Sequence, residues 1–179
     1  MMHPDIKEIL FSEEELQKRV RALGEEISRD YAGKEIVCIG VLKGCFVFMA
    51  DVVRAMDVKC DIDFMAVSSY GSGTVTTGAV KIGKDISANI EGRDVLLIED
   101  ILDSGVTLSY LREFLMQRKP KSIKICTLFD KPARRKADIK ADYVGLICPD
   151  EFIVGYGLDY DEKYRNLPYI GVLKPEIYA

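Results

Sequence analysis

The chain of 179 residues has no tryptophan, a single histidine and five cysteines without a CxxC pair. This composition disfavours a zinc site, which is usually built from closely spaced histidines and cysteines. Five cysteines cannot all pair within one chain. We therefore expect buried free thiols in a reducing cytosol.

Long apolar runs and an excess of positive charge are missing as well. No stretch approaches the roughly 20 apolar residues that cross a bilayer. Asp5 and Glu8 interrupt the amino terminus, where a signal peptide would be continuously apolar. The net charge of −4 disfavours broad nucleic-acid binding, although a local phosphate site remains compatible with it. We expect a cytoplasmic protein with no membrane and no nucleic acid as partner.

The sequence alternates between apolar strands and amphipathic helices. Ser12 and Glu15 form a capping box before a helix whose apolar residues recur every three or four positions. A second helical stretch follows Lys43-Gly44, and a third ends before Pro120. Strands are predicted at 35–42, 60–69, 79–85, 95–99, 122–130 and 142–148. This order predicts an α/β domain with a mostly parallel twisted sheet flanked by helices.

Polar segments follow four of these strands. They are Lys43-Gly44, Glu99–Thr107, Asp130-Lys131 and the residues after Cys148. In open parallel sheets, ligands bind beyond the carboxyl ends of the strands. We therefore expect these segments on one rim.

The stretch "VLLIEDILDSGVTL", residues 95–108, ends a strand in carboxylates and then turns into a helix. The turn Asp103-Ser104-Gly105-Val106-Thr107 offers free amides and the positive end of a helix dipole to a phosphate. Glu99 and Asp100 are consecutive on an extended segment, so they should point to opposite sides and grip two edges of a polyhydroxyl ligand. Mg²⁺ would separate these acids from a phosphate. The alternative is that Asp103 or Ser104 only caps the helix.

This stretch resembles the 5-phosphoribosyl-1-pyrophosphate (PRPP) motif of the type I phosphoribosyltransferases. Further segments are similar, in order and separation, to the hypoxanthine-guanine members: "LKG" at 42–44, "SSYG" at 68–71, "DKP" at 130–132 and "PDEFIVGYGLDYDEKYRNLPYIGVL" at 149–173. The resemblance implies a single domain, 1–179, with a core at about 34–150. It also implies a hood from the N-terminal segment and about 151–179, a mobile lid, and a homodimer or homotetramer.

The implied activity is transfer of 5-phosphoribosyl from PRPP to N9 of hypoxanthine or guanine. Residues Asp103 to Thr107 would hold the 5′-phosphate. Glu99 and Asp100 would bind the ribose hydroxyls directly or through Mg²⁺. The resemblance also makes Asp103 the general base or acid at purine N7, and the sequence leaves open whether it moves a proton or only orients the base.

The resemblance assigns Lys43, Gly44 and Arg165 to the pyrophosphate, which an arginine can clamp bidentately. A peptide bond at Lys43-Gly44 is often cis in this family, and a glycine there makes it less costly. Asp159 corresponds to a second magnesium ligand. Two further acids close by, Asp161 and Glu162, leave the choice within this cluster open.

Base recognition is implied for Phe152, Ile153, Asp159 and Lys131. Phe152 would stack on the purine, although by itself it is more typical of a core residue. Ile153 and Asp159 would lend backbone groups to the base edge. The Lys131 ammonium is a donor only, so it suits a 6-oxopurine and mismatches the 6-amino group of adenine. The basic residues after it, Arg134, Arg135 and Lys136, are interpreted as a solvated loop.

Ser69 and Tyr70 open a glycine-rich segment that reaches Ala79 and resembles the lid of this family. Such a lid would close over PRPP and exclude water, whereas the plainer interpretation is a hairpin loop. Two alternatives to the implied function remain open. One is a related transferase that prefers xanthine. The other is a regulatory RNA-binding protein on the same fold, which would need a broad basic face.

Overall fold

The computed structural model describes residues 2–69 and 80–179 and contains nine strands and four α-helices there. The strands are β1 Ile6–Phe11, β2 Glu35–Leu42, β3 Lys59–Ser69, β4 Val80–Lys84, β5 Asp94–Leu102, β6 Ser122–Asp130, β7 Tyr143–Ile147, β8 Ile153–Val154 and β9 Ile170–Leu173. The helices are α1 Glu13–Asp30, α2 Phe46–Ala55, α3 Val106–Met116 and α4 Pro175–Tyr178, and a 3₁₀ turn spans Pro132–Arg134.

The main sheet has six strands in the order β4-β3-β2-β5-β6-β7. Every neighbouring pair is parallel except β3–β4, which confirms the predicted mostly parallel sheet. The central strands are apolar because both of their faces are covered. Residues of α1 and α2 pack on one face of the sheet, and residues of α3 pack on the other.

Helix α1 begins as its sequence predicts. The Glu15 amide donates to Ser12 Oγ at 3.2 Å, and the Ser12 amide donates to Glu15 Oε2 at 2.7 Å. This reciprocal pair satisfies two amides that the first turn leaves without partners. The helix boundary is therefore decided by local sequence.

A second, three-stranded antiparallel sheet has the order β1-β9-β8. It joins both ends of the chain and lies outside the main sheet. Strand β1 was not recognised in the sequence because its residues do not alternate: one buried position is followed by three exposed ones. Pairing with β9, more than 150 residues away, fixes this strand.

The four polar segments lie at the carboxyl ends of β2, β5, β6 and β7, and so share one rim. Two of them begin inside a strand, because β5 extends to Leu102 and β6 to Asp130. Ser69 ends β3, and Tyr70 with the rest of the predicted lid lies outside the described residues. Among residues 2–69 and 80–179, no helix is long and apolar enough to cross a membrane.

Candidate active site

Two adjoining pockets open at this rim. The first, of about 200 Å³, is lined by Lys131, Phe152, Ile153 and Asp159 together with Asp103. The second, of about 220 Å³, is lined by residues of the acid-glycine turn: Glu99, Asp100, Asp103, Ser104, Gly105 and Thr107. Asp103 lines both pockets and so stands where two ligands would meet.

The turn into α3 depends on Gly105. This residue is the N-cap of α3 with φ +79°, a left-handed conformation that favours glycine. A Cβ there would lie 2.5 Å from Ile139 Cγ2, so space also requires glycine. The Val106 amide donates to Ser104 Oγ at 3.4 Å. The N-cap residue of α3 is therefore Gly105 and not Asp103 or Ser104, although the Ser104 hydroxyl accepts from the first amide of the helix.

The Asp103 side chain has a buried carboxylate oxygen that accepts no hydrogen bond. Its Oδ1 atom is buried and has no hydrogen-bond partner within the described part of the chain. A buried carboxylate oxygen without a partner is costly. A ligand that donates a hydrogen bond at this point would remove that cost.

Glu99 and Asp100 both line the second pocket. The β5–β6 ladder continues through this segment, with Glu99 opposite Thr127 and Ile101 opposite Phe129. Local hydrogen bonds also form here. The Asp100 amide donates to Glu99 Oε1 at 3.2 Å, and the Ile101 amide donates to Asp100 Oδ1 at 2.8 Å. Burial, and then the neighbouring Asp100 carboxylate, raise the pKa of Glu99 well above its usual value. Burial likewise raises the pKa of Asp100.

Gly44 is needed because the Asp100 carboxylate packs on it: a Cβ at Gly44 would overlap with Asp100 Oδ2. Gly157 is needed in turn, because its Cβ would overlap with the Gly44 carbonyl. The cis peptide bond lies between Leu42 and Lys43, one bond before the expected Lys43-Gly44 position. The structural reason for this glycine is therefore the close approach of Asp100.

Lys43 and Arg165 come together through Glu162, a residue that the sequence left unassigned. Glu162 Oε2 lies 2.9 Å from Lys43 Nζ and 3.5 Å from Arg165 Nη2. Arg165 also contacts Asp159 Oδ1 at 3.0 Å and donates to the Gly157 carbonyl at 2.8 Å. Its Nε is buried and has no partner among residues 2–69 and 80–179. Two cations thus converge on one carboxylate, and Glu162 and Arg165 line a third pocket.

In the first pocket, Lys131 is 6% exposed. Its Nζ donates to the Glu151 carbonyl at 2.9 Å and lies 3.3 Å from Asp150 Oδ1. Asp150 also accepts from Arg134 Nε at 2.7 Å. An ammonium has three donors, so one remains for a ligand.

Phe152 lies in the pocket wall and not in the core, since it is 38% exposed. The Tyr178 ring stacks on it at 4.6 Å between centroids, and Tyr160 meets it edge-on at 5.6 Å. Sequence analysis missed Tyr178, which α4 carries back from the end of the chain. The stacked pair forms an aromatic wall suited to a planar ring.

The interpretation of Arg135 as part of a solvated loop is wrong. Its side chain is 18% exposed, and it donates to backbone carbonyls of the acid-glycine turn. Arg134 is 57% exposed and paired with Asp150, while Lys136 is exposed, as that interpretation expects for them. No local pattern distinguishes Arg135 from its neighbour. Arg135 makes these contacts because the 3₁₀ turn Pro132–Arg134 brings it next to the end of β5.

The chain is similar to known proteins over nearly its whole length. A family model for the phosphoribosyl transferase domain matches residues 8–161. The hypoxanthine-guanine phosphoribosyltransferase of Bacillus subtilis strain 168 is 60% identical over 178 residues, which covers 99% of both chains. A hypoxanthine phosphoribosyltransferase crystal structure from Staphylococcus aureus aligns with TM-score 0.96 at 56% identity, covering 99% of this chain and 97% of that one.

The chain belongs to the phosphoribosyltransferase family and, within it, to the hypoxanthine-guanine phosphoribosyltransferases. A bifunctional TilS/HprT protein of Listeria monocytogenes serotype 4b is also 58% identical over 178 residues. This chain spans 28% of that relative's length.

Proposed function

We propose that the protein transfers 5-phosphoribosyl from PRPP to N9 of hypoxanthine or guanine and releases pyrophosphate. The observation that carries this proposal is the pair of pockets that adjoin at Asp103. One pocket offers groups for a purine, and the other offers groups for a sugar phosphate. The bond to be formed would lie between them.

The phosphoribosyl group is assigned to the second pocket. Amides and hydroxyls of residues 103–107, at the start of α3, would hold the 5′-phosphate. Glu99 and Asp100 would bind the ribose 2′- and 3′-hydroxyls. Lys43, Gly44 and Arg165 would hold the pyrophosphate, with Glu162 displaced from the two cations. The Lys43 and Arg165 cations would stabilise the charge that develops on the pyrophosphate as the C1′–O bond breaks.

The donor set suits a Mg²⁺ ion that is coordinated partly by the protein and partly by the substrate. Glu99 and Asp100 supply hard carboxylate oxygens, and neither is ion-paired within the described residues. Asp159 is less free, because its oxygens are engaged by Arg165 and the Glu162 amide. No group of three or more His, Cys, Asp or Glu side chains suited to a metal occurs in the described ranges. Mg²⁺ commonly uses one or two carboxylates plus substrate phosphates, and it would neutralise phosphate charge when bound.

The purine is assigned to the first pocket. Phe152 would stack on the ring, and backbone groups of Ile153 and Asp159 would contact its edge. Lys131 would donate to the 6-oxo group. Asp103 would face N7 and accept its proton, or a hydrogen bond from it, as N9 attacks C1′.

The proposal includes a lid over the site. Ser69 and Tyr70 would begin this lid, which would exclude water from the reacting C1′.

We also propose that the protein acts in the cytosol as a homodimer or homotetramer. Light scattering on the purified protein would test the oligomeric state. All five cysteines are free, as a reducing compartment would keep them.

The experiment is nucleotide formation by purified protein with PRPP and Mg²⁺, offering hypoxanthine, guanine, xanthine and adenine separately. We expect turnover of hypoxanthine and guanine, none of adenine, and complete loss in EDTA. Faster turnover of xanthine than of both would favour the xanthine-preferring alternative. No turnover of any base would refute the proposed activity.

A further inference from the structure

Arg135 grips the backbone on both sides of the Asp103 peptide. Its Nε donates to the Asp103 carbonyl at 3.0 Å, and its Nη2 donates to the Leu102 carbonyl at 3.3 Å. The direction of an aspartate side chain follows from its own backbone. Holding these two carbonyls therefore restricts where the Asp103 carboxylate can point.

The same guanidinium reaches the residue that precedes Lys131. Arg135 Nη2 forms an ion pair with Asp130 Oδ1, and both side chains are more than four-fifths buried. The Lys131 amide donates to the Leu102 carbonyl at 3.0 Å, the carbonyl that Arg135 also contacts. These contacts link the ends of β5 and β6, next to the site residues Asp103 and Lys131.

Neighbours of Arg135 fasten the rest of the turn. The Lys136 and Ala137 amides donate to the Ser104 carbonyl at 2.8 and 3.1 Å. A Cβ on Gly105 would lie 3.0 Å from Arg135 Cδ, so the arginine stem packs directly under the glycine. The fourth contact, from Nη1 to the Ile139 carbonyl at 2.8 Å, closes the loop on itself.

Lysine cannot reproduce these contacts. A guanidinium presents five donors in a planar fork, whereas an ammonium is a single point with three donors. Four acceptors in different directions surround this side chain, and they require the fork. Charge alone would satisfy only the pair with Asp130.

We propose that Arg135 is the positioning residue of this site. It orients Asp103 between the two pockets, supports the phosphate turn, and couples both to Lys131 through Asp130. This inference rests on the proposed function, and it assigns Arg135 no contact with substrate. Displacements of about 1 Å at reacting groups lower rates by about 10²-fold, so losing the fork should affect turnover.

The test compares Arg135→Lys with the matched control Arg19→Lys. Arg19 donates to the Gly145 and Val144 carbonyls away from the site, so its loss should affect stability without affecting chemistry. Steady-state kinetics with hypoxanthine and PRPP, thermal unfolding, and hydrogen exchange of peptides covering residues 99–109 are measured for both. We expect Arg135→Lys to lower kcat by 10- to 100-fold, to raise KM for PRPP, and to accelerate exchange in the turn. Arg19→Lys should lower Tm, and should match the wild type in its kinetics and in the exchange of residues 99–109.

Two results would overturn the inference. One is wild-type kcat and KM in Arg135→Lys, with a loss of Tm like that of Arg19→Lys, since a purely structural role predicts it. The other is unchanged exchange in residues 99–109. If the wild type forms no nucleotide from any base, the proposed function fails, and the exchange measurement still decides the role of Arg135.

Discussion

The Asp100 carboxylate packs directly on the α-carbon of Gly44, so that a side chain at Gly44 would occupy the position of Asp100 Oδ2. This contact joins the end of β5 to the end of β2. It places a candidate ribose ligand next to a candidate pyrophosphate ligand. Their relative position is therefore set by a glycine.

Gly44→Ala should displace Asp100 and the Lys43-Gly44 segment. We expect kcat/KM for PRPP to fall by about 10²-fold, because reacting groups tolerate about 1 Å of misplacement poorly. Steady-state kinetics with hypoxanthine measure it. Gly83→Ala is the control, since its new Cβ would meet only the Ala66 carbonyl at an ordinary 3.6 Å. Equal activity of the two variants would contradict this role of Gly44.

Asp103→Asn should lower kcat by about 10²- to 10⁴-fold, the usual contribution of a positioned acid or base. PRPP binding should change little, because backbone amides of the turn would still hold the phosphate. Kinetics and calorimetric titration with PRPP separate the two effects. Asp138→Asn, on an exposed carboxylate nearby, should behave as wild type. An unchanged kcat in Asp103→Asn would remove Asp103 from catalysis.

Lys131→Met should relax the choice of base. The buried ammonium is lost, so kcat/KM for hypoxanthine and guanine should fall by about 10²- to 10³-fold, while adenine loses its donor–donor mismatch. The ratio of hypoxanthine to adenine turnover is the quantity to measure. Lys140→Met, at an exposed position, is the control. The assignment of Lys131 fails if that ratio stays at its wild-type value.

Glu162→Gln should strengthen pyrophosphate binding. The Glu162 carboxylate holds Lys43 and Arg165 in the ligand-free protein, so it competes with an incoming anion. Exposed ion pairs contribute about 0–1 kcal/mol, which limits the gain to about fivefold. Calorimetry with Mg²⁺ and pyrophosphate measures the Kd. The control is Asp161→Asn, which removes an acid paired with Lys163 and should leave the Kd unchanged. Weaker pyrophosphate binding in Glu162→Gln would contradict the prediction, because it would show that Glu162 assists the ligand.

Glu99 should make the ligand-free protein less stable as the pH rises. Its pKa is raised in the folded state, so the folded chain retains a proton that the unfolded chain loses above about pH 4.5. Stability is greatest below that pH and falls as the pH climbs towards the folded pKa. Glu99→Gln should therefore raise Tm in EDTA at pH 8 by roughly 2–4 °C, as about 1 kcal/mol would in a chain of this size.

At pH 5 the same substitution should change Tm much less, because that pH is close to the usual carboxyl pKa and the unfolded chain has released little more proton than the folded chain. Differential scanning calorimetry at both pH values measures the difference. Glu91→Gln, at an exposed position, should show no pH-dependent gain. An equal effect of Glu99→Gln at both pH values would mean that the carboxylate is not destabilising.

Local sequence was sufficient for most of the main sheet. The capping box at Ser12 and Glu15, the apolar runs of β2, β5 and β6, and the polar segments beside them are short-range patterns, so the mostly parallel sheet and its shared rim could be anticipated. Strand β1 could not, because its residues do not alternate and only β9 completes it.

The candidate site divides in the same way. The stretch from Glu99 to Thr107 and the residues Lys131, Phe152 and Arg165 could be identified because each lies in a recognisable motif. Arg135 and Tyr178 could not, since neither carries a local signal that separates it from its neighbours. The cis bond lies between Leu42 and Lys43, one bond before its expected position.

By itself, the sequence determined the strands and helices of the main sheet, their order along the chain and the chemistry available at the rim. Only the tertiary structure decided which groups face one another: Arg135 under Asp103, Glu162 between Lys43 and Arg165, and Asp100 against Gly44. Periodicity and capping act over a few residues, and therefore can be read along the chain. Contacts between segments 30 to 120 residues apart are fixed by packing and by the need to satisfy buried polar groups, which no local pattern records.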